Sequence, residues 1–90
     1  MPIQDRSREF LEQFPLDTLR MVGTLQLGDT NYGLVQTSDG LIHRVVPGNY
    51  MGQNDGRIIA ITDSDIELIE IVSDGIGGYL ERRAAVALAD

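Results

Sequence analysis

The feature that most constrains the fold is a glycine-rich segment, residues 45–59, which joins two β-rich runs. In it, Gly48, Gly52 and Gly56 recur at every fourth residue. A glycine-rich loop that cradles phosphate normally leads into the N-terminus of a helix, whose backbone N–H groups hold the anion. Here the chain continues directly into another β-rich run, residues 57–61. We therefore predict a turn-rich connection between strands, in which glycine supplies backbone angles that other residues adopt only at a cost.

The rest of the chain shows one helix signal followed by strand signals. Residues 7–14 place apolar side chains at helical spacing, and Pro15 ends that pattern. Short runs rich in Val, Ile, Leu, Thr and Tyr follow, separated by Gly, Asp and Asn. They predict strands at residues 18–27, 32–37, 41–46, 57–62, 66–72 and 79–88. Such a pattern is typical of a small all-β sandwich or a partly open barrel.

The first predicted strand alternates apolar and other residues along its length. The apolar set comprises Leu19, Met21, Gly23, Leu25 and Leu27. Because successive side chains of a strand point to opposite faces, this alternation predicts that all five residues share one face.

Composition limits the possible functions. Ninety residues suffice for one domain with a single core, and 42% hydrophobic residues are ordinary for a globular protein. The formal net charge is −7, which makes nucleic-acid binding an unfavourable interpretation. The chain has no Cys, no apolar stretch long enough to cross a bilayer, and no recognisable signal peptide.

No catalytic or metal-binding constellation is visible. His43 is the only histidine, and without Cys the common zinc sets cannot form. The stretch at residues 63–67 has oxygen ligands at alternate positions, but it lacks the glycine that a calcium loop requires, so we interpret it as a hairpin turn. Glu67, Glu70 and Glu81 cannot be placed at a catalytic separation from sequence. We predict a non-enzymatic interaction module without cofactor or metal.

An ordered series of motifs identifies a family. The series consists of residues 14–25, His43-Arg44-Val45, residues 48–58, residues 69–72 with Asp74-Gly75, and residues 80–82. Together they resemble the C-terminal domain of the PilP family, the lipoproteins of type IV pilus assembly. The resemblance runs from about residue 10 to residue 88.

The resemblance implies a particular fold and division of the chain. The expected fold is a small β-sandwich of about six to seven antiparallel strands with one short N-terminal helix, similar to the homology region of the secretion protein GspC. Residues 1–9 would be a flexible N-terminal segment, residues 10–88 the domain, and residues 89–90 a C-terminal tail.

The resemblance also implies partners and a location. The domain would dock onto the N-terminal periplasmic domains of the secretin PilQ and link it to the inner-membrane PilM, PilN and PilO complex, which supports twitching motility. In the family, a signal peptide, a lipidated cysteine and a segment that engages PilN and PilO precede this domain. None is visible here, so the sequence is expected to be part of a longer periplasmic protein tethered to the inner membrane.

Two sets of residues are the predicted site. Apolar residues of the first strand and its neighbours are the expected groove or edge for the secretin: Val22, Leu25, Leu34 and Val46. The residues expected to determine the fold and its turns are Gly23, Tyr50, Gly52, Asn54 and Gly56.

A different class of function remains open from the sequence. A small-ligand-binding periplasmic β-barrel would require a deep closed pocket lined by Tyr32, Tyr50 or Tyr79. A hydrolase, the third possibility, would require a catalytic constellation around His43.

Overall fold

A computed structural model describes residues 7–89 as two antiparallel sheets packed face to face. The first sheet has the order β1-β2-β3, with β1 Arg20–Leu27, β2 Thr30–Gln36 and β3 Ile42–Val45. The second has the order β4-β5-β6-β7, with β4 Tyr50–Met51, β5 Gly56–Ile61, β6 Asp65–Ser73 and β7 Tyr79–Ala87. The predicted all-β sandwich of six to seven strands is confirmed.

The predicted N-terminal helix is not a single helix but two short 3₁₀ turns. Two single 3₁₀ turns, Phe10–Gln13 and Leu16–Thr18, replace it and the beginning of the first predicted strand. Pro15 separates them, and its carbonyl accepts the backbone N–H of Thr18 at 3.0 Å. Proline at position 15 limits the helical segment to residues 7–14. So short a segment forms too few backbone hydrogen bonds to offset the free energy of helix nucleation.

The ends of the predicted domain are only partly described. Residues 1–6 and residue 90, which belong to the predicted flexible segment and tail, lie outside the described residues. Arg8 forms an ion pair with Asp55 at 3.3 Å, and Ala89 donates its backbone N–H to the Met21 carbonyl at 2.8 Å. The boundaries at residues 10 and 88 stay a prediction.

The core lies between the two sheets and beneath the 3₁₀ turns. Its side chains come from alternate positions of the strands, as the pleat requires. The buried apolar residues are Leu11, Leu19, Met21, Val35, Val45, Met51, Ile58, Ile66, Leu68 and Val86.

A β-bulge in β1 overturns the predicted single apolar face. Met21 pairs with Val35, but Gly23 pairs with the neighbouring Leu34, so one extra residue lies between them. This register shift reverses the faces of the residues that follow. As a result, Met21 is fully buried, whereas Leu25 and Leu27 are 38% and 47% exposed.

The glycine-rich segment forms β4 and the turns on either side of it. Gly48 donates its N–H to the Ile58 carbonyl, and Ile58 donates its own to the Asn49 carbonyl, both at 2.8 Å. Gly52 has a left-handed φ of 79° and donates its N–H to the carbonyl of Leu11 at 3.1 Å. The segment is therefore attached both to β5 and to the first 3₁₀ turn.

Two of the predicted turn glycines, Gly56 and Gly23, differ in how much their surroundings require a residue without a side chain. An added Cβ at Gly56 would lie 2.7 Å from the Met51 carbonyl oxygen and 2.6 Å from Leu68 Cδ1, so it would collide with backbone. At Gly23 the nearest atom would be Leu34 Cδ1 at 3.8 Å, an ordinary contact, and φ is not left-handed. Crowding thus requires glycine at position 56, and nothing steric requires it at position 23.

We expect Gly56→Ala to lower the free energy of unfolding by about 2 kcal/mol, because β4 must move away from β5 to admit the methyl group. The control Gly23→Ala should change it by no more than about 0.5 kcal/mol. Urea denaturation followed by circular dichroism measures both. Equal losses in the two variants would contradict this account of position 56.

Candidate functional site

The outer face of the first sheet carries an apolar patch. The strand register places Leu25 opposite Tyr32 and Leu34 opposite Arg44 on the face that points away from the core. Arg44 lies over the Tyr32 ring, with Cζ 4.8 Å from the ring centroid, which is a cation–π geometry. The patch, called the outer face below, comprises Leu25, Leu27, Tyr32, Leu34, Ile42 and Arg44.

The predicted binding residues are partly brought together on this face. Leu25 and Leu34 both lie on it, and Val22, the extra residue of the bulge, is 36% exposed beside it. Val46 lies just beyond the end of β3, half-buried, with its N–H bonded to Asn49 Oδ1 at 2.9 Å. The other members of the outer face were not among the predicted binding residues: Leu27, Tyr32, Ile42 and Arg44. Strand alternation could have grouped Ile42 with Arg44, which is two residues further on.

Four of the five predicted turn residues, Tyr50, Gly52, Asn54 and Gly56, lie in the glycine-rich segment, whereas Gly23 lies in β1 opposite Leu34. Tyr50 in β4 donates its N–H to Glu9 Oε1 at 3.1 Å, which ties β4 to the start of the first 3₁₀ turn. The Asn54 carbonyl accepts the N–H of Ile71 at 2.8 Å. The described bonds of Tyr50 and Asn54 are contacts within the fold, and both residues lie apart from the outer face.

A cleft of about 570 Å³, called the β7 cleft below, opens between the second 3₁₀ turn and the end of β7. Apolar side chains of Leu16, Leu19 and Val86 line it. Residues from distant parts of the chain build it, so periodicity gave no sign of it.

An ion pair between a buried carboxylate and a half-exposed arginine lies in the β7 cleft. Glu70, whose side chain is 3% exposed, accepts a hydrogen bond from an Arg82 guanidinium nitrogen at 2.8 Å. Asn54 Nδ2 lies 3.4 Å from its other carboxylate oxygen. Glu70 shares the core face of β6 with Ile66 and Leu68, at every second residue of the strand.

His43 occupies a packed position in β3. Its ring lies 4.6 Å from that of Phe10 between centroids, and Nε2 is buried without a hydrogen bond to any residue in 7–89. Within the same part of the chain, no three His, Asp or Glu side chains are grouped closely enough to hold a metal ion. The described contacts of His43 are packing contacts.

Comparison with known proteins gives the family. The model of the family "Pilus assembly protein, PilP" matches residues 1–88. The chain is 42% identical over 89 residues to the type IV pilus inner membrane component PilP of Pseudomonas aeruginosa, an alignment that covers 99% of this chain and 51% of that protein. The chain belongs to the PilP family. It spans about half the length of this curated relative.

Solved structures of PilP domains have the same fold. A domain of the type IV pilus biogenesis lipoprotein PilP from P. aeruginosa matches with a TM-score of 0.87 at 42% identity, covering 98% of this chain and all of that one. A domain of the Neisseria meningitidis PilP pilot protein matches with a TM-score of 0.73 at 40% identity, covering 98% of this chain and 77% of that one. This chain is therefore a PilP domain, from a family of pilus assembly proteins. Within residues 7–89, no helix is sufficiently long and apolar to span a bilayer.

The ion pair in the β7 cleft should contribute measurably to stability. Arg82→Met keeps most of the aliphatic stem but leaves the buried Glu70 carboxylate without its cation, so we expect a loss of about 1–2 kcal/mol. Arg83→Met is the matched control, because Arg83 lies 3.9 Å from the half-exposed Glu67, and its loss should cost no more than about 0.5 kcal/mol. Urea denaturation at neutral pH distinguishes them, and equal midpoints for the two variants would contradict a structural role for the Glu70–Arg82 pair.

Proposed function

We propose that this PilP domain is a non-enzymatic periplasmic scaffold module of the type IV pilus machinery, which binds the N-terminal periplasmic domains of the secretin PilQ. It thereby links the secretin to the inner-membrane PilM, PilN and PilO complex. Tethering to the inner membrane would come from a lipid anchor elsewhere in the protein. The names of the relatives support the setting, since one is an inner membrane component and another a lipoprotein of pilus biogenesis.

The outer face is the observation that carries this proposal. Its large apolar side chains lie on the solvent side of a sheet whose other side already covers the core. A contiguous apolar patch of this kind on a small domain marks an interaction surface more often than isolated exposed residues do. The Arg44–Tyr32 pair adds side chains of the types that dominate binding energy at protein interfaces.

The described residues give less support to the small-ligand alternative. The core side chains of the two sheets fill the space between them, which leaves the three tyrosines in separate places. Tyr32 lies on the outer face, Tyr50 in β4 and Tyr79 at the start of β7, and none of them lines the β7 cleft. Tyr50 does line a pocket of about 210 Å³ with Phe10 and His43. That volume is below the roughly 300 Å³ at which ligand sites usually begin.

Leu25→Asp tests the docking face. A carboxylate within the apolar patch would have to be desolvated on binding, so affinity for a purified PilQ N-terminal fragment should fall roughly tenfold or more. Leu80→Asp is the matched control, because Leu80 is also exposed but lies in β7 of the second sheet, and it should bind like the wild type.

Calorimetry gives the affinities, and amide shifts of the ¹⁵N-labelled domain should locate the contact on β1 and β2. Wild-type affinity in Leu25→Asp, with shifts confined to another surface, would contradict docking on the outer face. Absence of any binding by the wild-type domain would contradict the proposed function itself.

A further inference from the structure

The second sheet ends in a strand whose outer edge is open. β7 pairs with β6 on one side and has no strand on the other within residues 7–89, apart from one bridge between Leu88 and Met21. Leu88 donates its N–H towards β6, to the Ser64 carbonyl, whereas Ala89 donates in the opposite direction, to Met21. Because backbone groups alternate in direction along a strand, Ala85 and Ala87 point theirs to this outer edge. The parallel bridge engages the Ala87 carbonyl with the N–H of Met21, so within the described residues both backbone groups of Ala85 and the N–H of Ala87 are open there.

The side chains of β7 divide this edge into two halves. The first half carries Glu81, Arg82 and Arg83, and charged residues on an edge strand oppose unwanted pairing. The second half, residues 84–87, has three alanines and one valine and carries no charge. Small side chains allow another backbone to approach closely, so this half is the accessible part of the edge.

The accessible half borders the β7 cleft. Ala85 and Ala87 line the cleft together with Leu16, Leu19 and Val86. A strand added to β7 at this point would therefore find hydrogen-bonding groups and an apolar floor in one place. This combination is typical of recognition by strand addition, in which main-chain bonds give affinity and pockets for alternate side chains give specificity.

The charges of the cleft indicate the chemistry of the occupant. Glu70 is already neutralised by Arg82. Arg20 and Asp17 both line the cleft and are exposed, and neither forms an ion pair within residues 7–89. Arg20 is the one next to the edge, because it precedes Met21, whose carbonyl is bonded to the end of β7 at Ala89. An acidic side chain on the occupant would complement Arg20. A second copy of this chain is disfavoured, because each copy carries a net charge of −7 and Arg82 and Arg83 lie on the edge strand.

We propose that the open edge of β7 at Ala85 and Ala87, with the β7 cleft beside it, is a second interaction site. It binds an extended segment of a partner polypeptide that has apolar side chains and an acidic residue opposite Arg20. The site lies on the second sheet and does not depend on docking of a secretin to the outer face.

A proline at position 85 should block strand addition at the edge of β7 without disrupting the second sheet. Ala85→Pro removes an N–H that points to the open edge, where proline is tolerated in sheets, so pairing with β6 is retained. Ala85→Ser is the matched control, because it keeps the N–H and a small side chain. Far-ultraviolet circular dichroism and the amide spectrum of each variant report whether the sheet is intact.

The probe is a phage-displayed library of random peptides of about ten residues, long enough to lay one strand along the edge. Selection on the immobilised wild-type domain should enrich alternating apolar sequences that contain Asp or Glu. Synthetic versions should bind Ala85→Ser like the wild type and Ala85→Pro roughly tenfold more weakly. On the wild type they should protect the Ala85 and Ala87 amides from hydrogen exchange.

Several outcomes would overturn the proposal. They are failure to enrich any peptide, equal binding to folded Ala85→Pro, and enrichment of basic rather than acidic sequences. A wild-type domain that sediments as a dimer while Ala85→Pro is a monomer would show that a second copy occupies the edge. Binding of the PilQ fragment tests the two proposals separately. If the outer face is the secretin site, Ala85→Pro should leave the affinity for that fragment unchanged.

Discussion

The β-bulge between Met21 and Gly23 is the local feature on which both proposed surfaces depend. Before the bulge, β1 contributes Met21 to the core; after it, the same strand contributes Leu25 and Leu27 to the outer face. Continued alternation would have placed these leucines on the core side of the sheet. The bulge lies next to the point where β1 meets the end of β7, because the Met21 carbonyl accepts the N–H of Ala89. One inserted residue thus separates the part of β1 that closes the sandwich from the part that presents an apolar surface.

A second constraint fixes the glycine-rich segment to the N-terminal turn. Its hydrogen bonds run from Gly52 to Leu11, from Tyr50 to Glu9 and from the Gln53 side chain to Gln13. Since backbone groups buried without partners are costly, these bonds let an irregular segment lie over the core while Met51 fills it. The arrangement also brings the second 3₁₀ turn, with Leu16, against Gly52 and forms one wall of the β7 cleft. The residues that attach the glycine-rich segment to the core therefore also help to form the β7 cleft.

Local sequence signals predicted the strands well and their irregularities poorly. Turn residues such as Ser38, Asp39 and Gly40 mark where a hairpin reverses, so the meander of the first sheet could be predicted. The extra residue of the bulge has no comparable mark, because Val22 is as apolar as its neighbours, and the predicted face of Leu25 was wrong for that reason. The buried carboxylate of Glu70 is paired with Arg82, which lies opposite it on β7. The two residues are too far apart in the sequence for a local pattern to reveal the pairing. The β7 cleft could not be predicted either, because the 3₁₀ turn, the glycine-rich segment and β7 that line it are distant in the sequence.

The positions of the two proposed surfaces bear on how a small domain could act as a linker. The outer face belongs to the first sheet and points away from the core, whereas the open edge of β7 belongs to the second sheet and runs beside the 3₁₀ turns. Their residues do not overlap, so occupation of one does not by itself cover the other. The two proposed surfaces also differ in mode, since the outer face presents side chains and the edge of β7 presents backbone groups. If both proposals hold, one surface would bind a folded domain and the other an extended polypeptide, so a sandwich of only two sheets would join two kinds of partner without a second domain.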